Sequence, residues 1–184
     1  MSEENLIRYC SPTLAGLKTG ALFNCPYTNL TELRSGLRAW NLRLGAKGLR
    51  VVPMRWARGW ALLYVYRPGC LARDLREGRA SQILEEKGYC ASCPGKCVSE
   101  LMRRLREQED FPHEIGLFLG YPPEDVEGFM ENRACKCVGC WKVYGDVETA
   151  QKTFAKYKKC TNVYCRLYAQ GRSVENLTVE SRLI

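Results

Sequence analysis

Apolar side chains recur at helical spacing over Leu30, Leu33, Leu37, Trp40 and Leu44, and Gly45 follows them. That stripe predicts an amphipathic helix, capped by Thr28 or Asn29 and ended by the glycine. The next pattern is different. Leu49–Trp56 and Trp60–Arg67 are rich in Val, Leu, Tyr and Trp, with Ala57-Arg58-Gly59 between them. This predicts a β-hairpin, closed by Pro68-Gly69. Pro53 cannot donate to a ladder, so the first strand is expected at an edge or with a bulge. Short amphipathic helices are expected over Cys70–Glu77 and Ala80–Lys87. A further one runs from about Lys96 to Gln108, with Val98, Leu101, Met102 and Leu105 on one face. After Asp146 a long basic helix carries Val147, Ala150, Phe154, Tyr157, Thr161 and Tyr164 inward and stops at Gly171.

Three stretches are less regular. Cys10–Leu17 predicts a short helix, with Ser11 as cap and Pro12 in the first helical position, which sets Cys10 at its N-terminal edge. Asn24-Cys25-Pro26-Tyr27 is expected to be a turn. Phe111–Gly128, FPHEIGLFLGYPPEDVEG, holds the apolar run Ile115–Leu119, which is short and broken by Gly116. It is read as a buried strand with His113 at its mouth. Tyr121-Pro122-Pro123 ends that strand, and Pro123, Glu124 and Asp125 suit a helix first turn. Cys140–Tyr144 is expected to be a further strand. The sum is an α+β chain: one domain over 1–171, and a weakly ordered C-terminal tail over 172–184. Its small antiparallel sheet takes the hairpin, the His113 strand and the Trp141 strand, packed with several helices.

Composition narrows the function classes. At 46% hydrophobic and 26% charged residues the chain reads as an ordinary globule, and no apolar run approaches the ~20 residues of a membrane span. The acidic start MSEENLIRY lacks the regions of a signal peptide, so a cytoplasmic protein is expected. The net charge of +8 leaves room for a nucleic-acid-binding module. However, Lys and Arg are spread along the chain and interleaved with acids through 73–109, so a solvated basic surface is the expectation.

Candidate chemistry rests on eleven cysteines and a single histidine. A thiol at a helix start has its pKa lowered from about 8.5 by the orphan amides and the dipole. Cys10 is therefore the candidate nucleophile, and His113 its base. Asp125 is the first candidate to orient the ring, with Glu131, Asn132 and Asp146 open. The reaction expected is thiol-dependent acyl transfer on a small-molecule or carrier-bound acyl or peptide substrate, and it needs no cofactor. The alternative is a non-enzymatic metal protein. Cys90, Cys93 and Cys97 have C-x2-C-x3-C spacing, and Cys135, Cys137 and Cys140 have C-x-C-x2-C spacing. Two such knuckles suit zinc or an iron–sulfur cluster. Cys25, Cys70, Cys160 and Cys165 are read as apolar fillers.

FPHEIG, LGYP, EDV and GF, followed by GCWKVYGD and Lys159-Cys160, resemble an uncharacterised family of short proteins from anaerobic bacteria. The resemblance covers roughly 10–160 and implies no mechanism. HEIGLFLGY also resembles the histidine strand of bacterial papain-like peptidases. That likeness implies a papain-like topology, with the nucleophile on a helix and the base on the sheet.

Overall fold

The structure is a computed structural model that describes residues 3–108 and 110–180. The chain divides into two compact units. One is built from the residues up to Gly69 together with those from Lys159 on; the other is Cys70–Lys158.

The first unit begins with α1 (Glu3–Leu14), followed by β1 (Gly20–Pro26), α2 (Leu30–Gly45), β2 (Arg50–Ala57) and β3 (Trp60–Tyr66). α1 starts well before the expected point. Its buried residues Leu6, Ile7, Cys10 and Leu14 form a helical stripe, and Glu3 and Glu4 sit in its first turn, where the dipole favours carboxylates. Cys10 is therefore inside the helix, and Pro12 is near its end rather than at its start. Ser11 does not cap; its hydroxyl donates to the Ile7 carbonyl.

β1 replaces the expected turn at Asn24–Tyr27. It pairs antiparallel with β3, from Gly20 opposite Tyr66 to Pro26 opposite Trp60. β2 lies on the other side of β3, so the strand order is β1-β3-β2. Pro53 falls where expected, on an edge strand beside a register shift between Pro53 and Arg55. α2 is capped by Asn29, whose Oδ1 accepts from the Thr31 and Glu32 amides. Its Leu33, Leu37, Trp40 and Leu44 join a core with α1 and the sheet.

The second unit contains most of α3 (Pro68–Arg76), then α4 (Gly78–Glu86), α5 (Pro94–Glu107), α6 (Ile115–Phe118) and α7 (Pro123–Met130). A small hairpin follows, β4 (Cys137–Val138) with β5 (Lys142–Val143). Asp146 caps α8 (Val147–Ala169) by accepting from the Thr149 amide at 3.1 Å. α8 belongs to this unit as far as Lys158 and to the first from Lys159.

Two strands expected in one sheet are thus corrected. The Ile115–Leu119 run is a turn of helix, and the Trp141 stretch is half of a separate two-stranded hairpin. The α+β class stands, with a three-stranded antiparallel sheet that does not include His113. The stretch after Arg172, expected to be weakly ordered, forms α9 (Val174–Leu177), with Val174 and Leu177 buried in the first unit's core. Residues 181–184 of that expectation lie outside the described residues. Among the described residues no helix is long and apolar enough to cross a membrane.

Candidate functional site

The second unit contains a pocket of about 360 Å³ lined by ten residues drawn from 111–129 and 141–142. That is at the small end of the roughly 300–1,000 Å³ typical of ligand sites. Its geometry is set from two sides. On one side, Glu114 fixes the turn that carries His113. Glu114 is buried, accepts from Tyr89 Oη at 2.8 Å and faces Arg104 Nη1 at 3.1 Å. Arg104 in turn lies over the Tyr89 ring, 4.2 Å from its centroid, and bonds Glu100 at 2.8 Å. This buried carboxylate, phenol and guanidinium satisfy one another, as an enclosed charge requires. Burial, followed by the Glu114 charge, pushes the Tyr89 hydroxyl well above its ordinary range, so it remains a donor.

On the other side, Asp125 clasps the segment after the small hairpin. It is 3% exposed. Its Oδ2 accepts from Trp141 Nε1 at 2.7 Å, and its Oδ1 accepts from the amides of Tyr144 at 2.6 Å and Gly145 at 2.8 Å. Asp125 stands in the first turn of α7, as expected from the sequence, yet its partners are an indole and two amides. Trp141 is held further by the Tyr121 ring, stacked at 4.8 Å, and the Phe154 ring, edge-on at 4.5 Å.

The glycine at 116 lets the two sides meet. A Cβ there would lie 2.7 Å from Val126 Cγ2 and 3.2 Å from the Tyr121 ring, so only glycine permits α6 to approach α7 this closely. The pocket floor is then Ile115, Gly116 and Val126, with Phe111, Tyr121, Phe129 and Trp141 as aromatic walls. Phe129 carries two nitrogenous groups at the mouth. The exposed His113 ring meets it edge-on at 4.8 Å, and Lys142 Nζ lies 5.2 Å from its centroid. Among the described residues, neither the His113 ring nitrogens nor Lys142 Nζ has a hydrogen bond or an ion pair.

The site residues expected from the sequence divide accordingly. His113 and Asp125 line one pocket. Cys10 is completely buried in the core of the first unit, and burial pushes its thiol far above the ordinary range. The dipole effect expected for it does not apply, because Cys10 lies well inside α1 rather than at its start. Glu131, Asn132 and Asp146, the open alternatives, are outside the pocket lining; Asp146 is occupied by its cap.

Of the expected metal ligands, Cys90 is exposed, Cys93 half-buried and Cys97 buried, while Cys135 and Cys140 are exposed and Cys137 is half-buried. Among the described residues no three His, Cys, Asp or Glu side chains come together as a ligand group. Cys25 is buried as a filler should be, and Cys165 is exposed. Part of the expected basic surface is paired: Arg43, Arg79, Arg103, Arg133 and Lys152 all have carboxylate partners.

Sequence reasoning missed Lys142, Phe129 and Glu114 as site residues. The signal was present in two forms: a density of aromatic residues between 111 and 144, and a carboxylate set between Pro112 and Ile115 in an apolar run. A family model described as a protein of unknown function, DUF3793, matches residues 6–178. No curated protein and no solved structure matches the chain.

Proposed function

The chain belongs to the DUF3793 family of proteins of unknown function, and we propose that this member binds a small molecule with an apolar, aromatic or acyl, body and an anionic end. The observation that carries this reading is a cation, unpaired among the described residues, at the mouth of an apolar pocket. The walls are aromatic and aliphatic, which suits a planar or acyl body. Among the described residues Lys142 Nζ has no acceptor, and both it and the His113 ring contact Phe129. The carboxylate in the lining, Asp125, already accepts three hydrogen bonds, so the pocket favours a ligand that accepts over one that donates.

The expected acyl transfer through Cys10 finds no support in the burial of that thiol. The papain-like arrangement needs the histidine on the sheet, whereas His113 precedes α6. The His113 ring, unpaired among the described residues, can donate a second hydrogen bond at the ligand's polar end.

2-Naphthoate is a suitable probe, with its neutral partner 2-naphthamide as the control. Titration followed by methyl NMR should shift Ile115 and Val126, with the amide about tenfold weaker, the worth of one charge-assisted hydrogen bond. Shifts confined to the first unit, or equal affinity for both probes, would remove the proposal.

A further inference from the structure

A second constellation lies in the same unit and is independent of the pocket. Cys90 and Cys93 bound a four-residue turn, closed by the Cys93 amide donating to the Cys90 carbonyl at 2.9 Å. Such a turn sets its end Cα atoms less than about 7 Å apart, and a disulfide requires about 4.4–6.8 Å. The Ser92 hydroxyl lies between the two sulfurs, 3.3 Å from Cys90 Sγ and 3.9 Å from Cys93 Sγ. Ala91, inside the turn, is buried and anchors it. Cys93 then forms the N-cap of the fourteen-residue α5, with Pro94 directly after it.

We propose that Cys90 and Cys93 form a dithiol–disulfide couple that exchanges with low-molecular-weight or protein disulfides, with Cys90 as the attacking thiol and Cys93 as the resolving one. Cys90 is exposed and Cys93 half-buried, which gives the two sulfurs different access. The Ser92 hydroxyl donates to Cys93 Sγ and is within hydrogen-bond reach of Cys90 Sγ, so both sulfurs face one hydroxyl. Cys97 is a bystander. It is buried, and its thiol donates to the Cys90 carbonyl at 3.1 Å.

The exchange balances as follows. The Cys90 thiolate, its proton lost to solvent, attacks one sulfur of R–S–S–R. A mixed disulfide forms, and the R–S⁻ that leaves takes a proton from solvent. Cys93 gives up its proton and its thiolate attacks the Cys90 sulfur. The second R–S⁻ leaves and is protonated. The protein loses two electrons and two protons to form the Cys90–Cys93 disulfide, and the external disulfide becomes two thiols. A dithiol reductant drives the reverse.

The test equilibrates the reduced full-length chain with graded mixtures of reduced and oxidised glutathione, followed by acid quench, alkylation and peptide mass mapping. A Cys90–Cys93 disulfide whose fraction follows the glutathione ratio in both directions is the expected result. In Cys93→Ser the reaction should arrest as a glutathione adduct on Cys90, with an occupancy about tenfold above that of the exposed Cys165. Three results overturn the proposal: no Cys90–Cys93 disulfide at any ratio, pairing of Cys90 with Cys97 instead, or a Cys93→Ser adduct no greater at Cys90 than at Cys165.

Discussion

Removing the buried Asp125 carboxylate leaves the half-buried Trp141 Nε1 and the amides of Tyr144 and Gly145 without their acceptor. Asp125→Ala should therefore cost about 2–4 kcal/mol of stability, given about 1.5–3 kcal/mol for a hydrogen bond to a charged group. Denaturant unfolding checks the figure. Glu100 makes a pH-dependent contribution. Hydrogen bonds from Arg103, then Arg104, hold its carboxyl at about 2, below the ordinary 4.5. Its folded pKa is depressed, so its contribution is present above about pH 4.5 and lost as the pH falls toward 2. Thermal midpoints of the wild type and Glu100→Gln should differ near neutrality and converge toward pH 2. Residue types were partly legible in the sequence. The solitary histidine and Asp125 were singled out, and both line the pocket. Their roles were not legible, because what Asp125 accepts from is decided by the chain at 141–145. Cys10 misled because the Ser11-Pro12 start signal competes with the Leu6, Ile7, Cys10 and Leu14 stripe, and burial of that stripe against the sheet wins.

Elements with a long periodic stripe were legible: α2, the β2–β3 hairpin and α8 stand close to where the pattern puts them. Short apolar runs were not. IGLFL is compatible with a strand or a helical turn; in the helical turn it forms, Gly116 packs close under Val126 of α7. β1 was hidden because Gly20, Asn24 and Pro26 look like punctuation, whereas the β1–β3 pairing reaches Pro26, at the end of an edge strand. Gly116→Ala adds a methyl where Val126 and Tyr121 leave no room. An overpacking cost of about 1–3 kcal/mol is expected, together with weaker ligand binding, since the same glycine lines the pocket. A crystal structure of the variant with Val126 unmoved would contradict this.

At the scale of the molecule, the family match spans both compact units, while the pocket and the dithiol lie in the second. The first unit is closed by its own C-terminal segment. Arg67 is 2% exposed and donates from Nε to the Thr13 carbonyl at 2.7 Å. Its Nη2 donates to the carbonyls of Leu14 at 2.6 Å and Val179 at 2.7 Å. The Val179 amide returns a bond to Leu14 at 3.0 Å. Truncation after Arg172 removes Val174 and Leu177 from the core, which at about 1.5–3 kcal/mol each should lower stability by ~3–6 kcal/mol and is read by thermal unfolding. The most direct measurement of the central claim is the ratio of dissociation constants for 2-naphthamide and 2-naphthoate in the wild type and in Lys142→Met. A pocket that selects an anion through Lys142 gives a ratio of about ten that falls to about one in the variant, a loss of ~1.4 kcal/mol. The same ratio in both proteins would contradict the account.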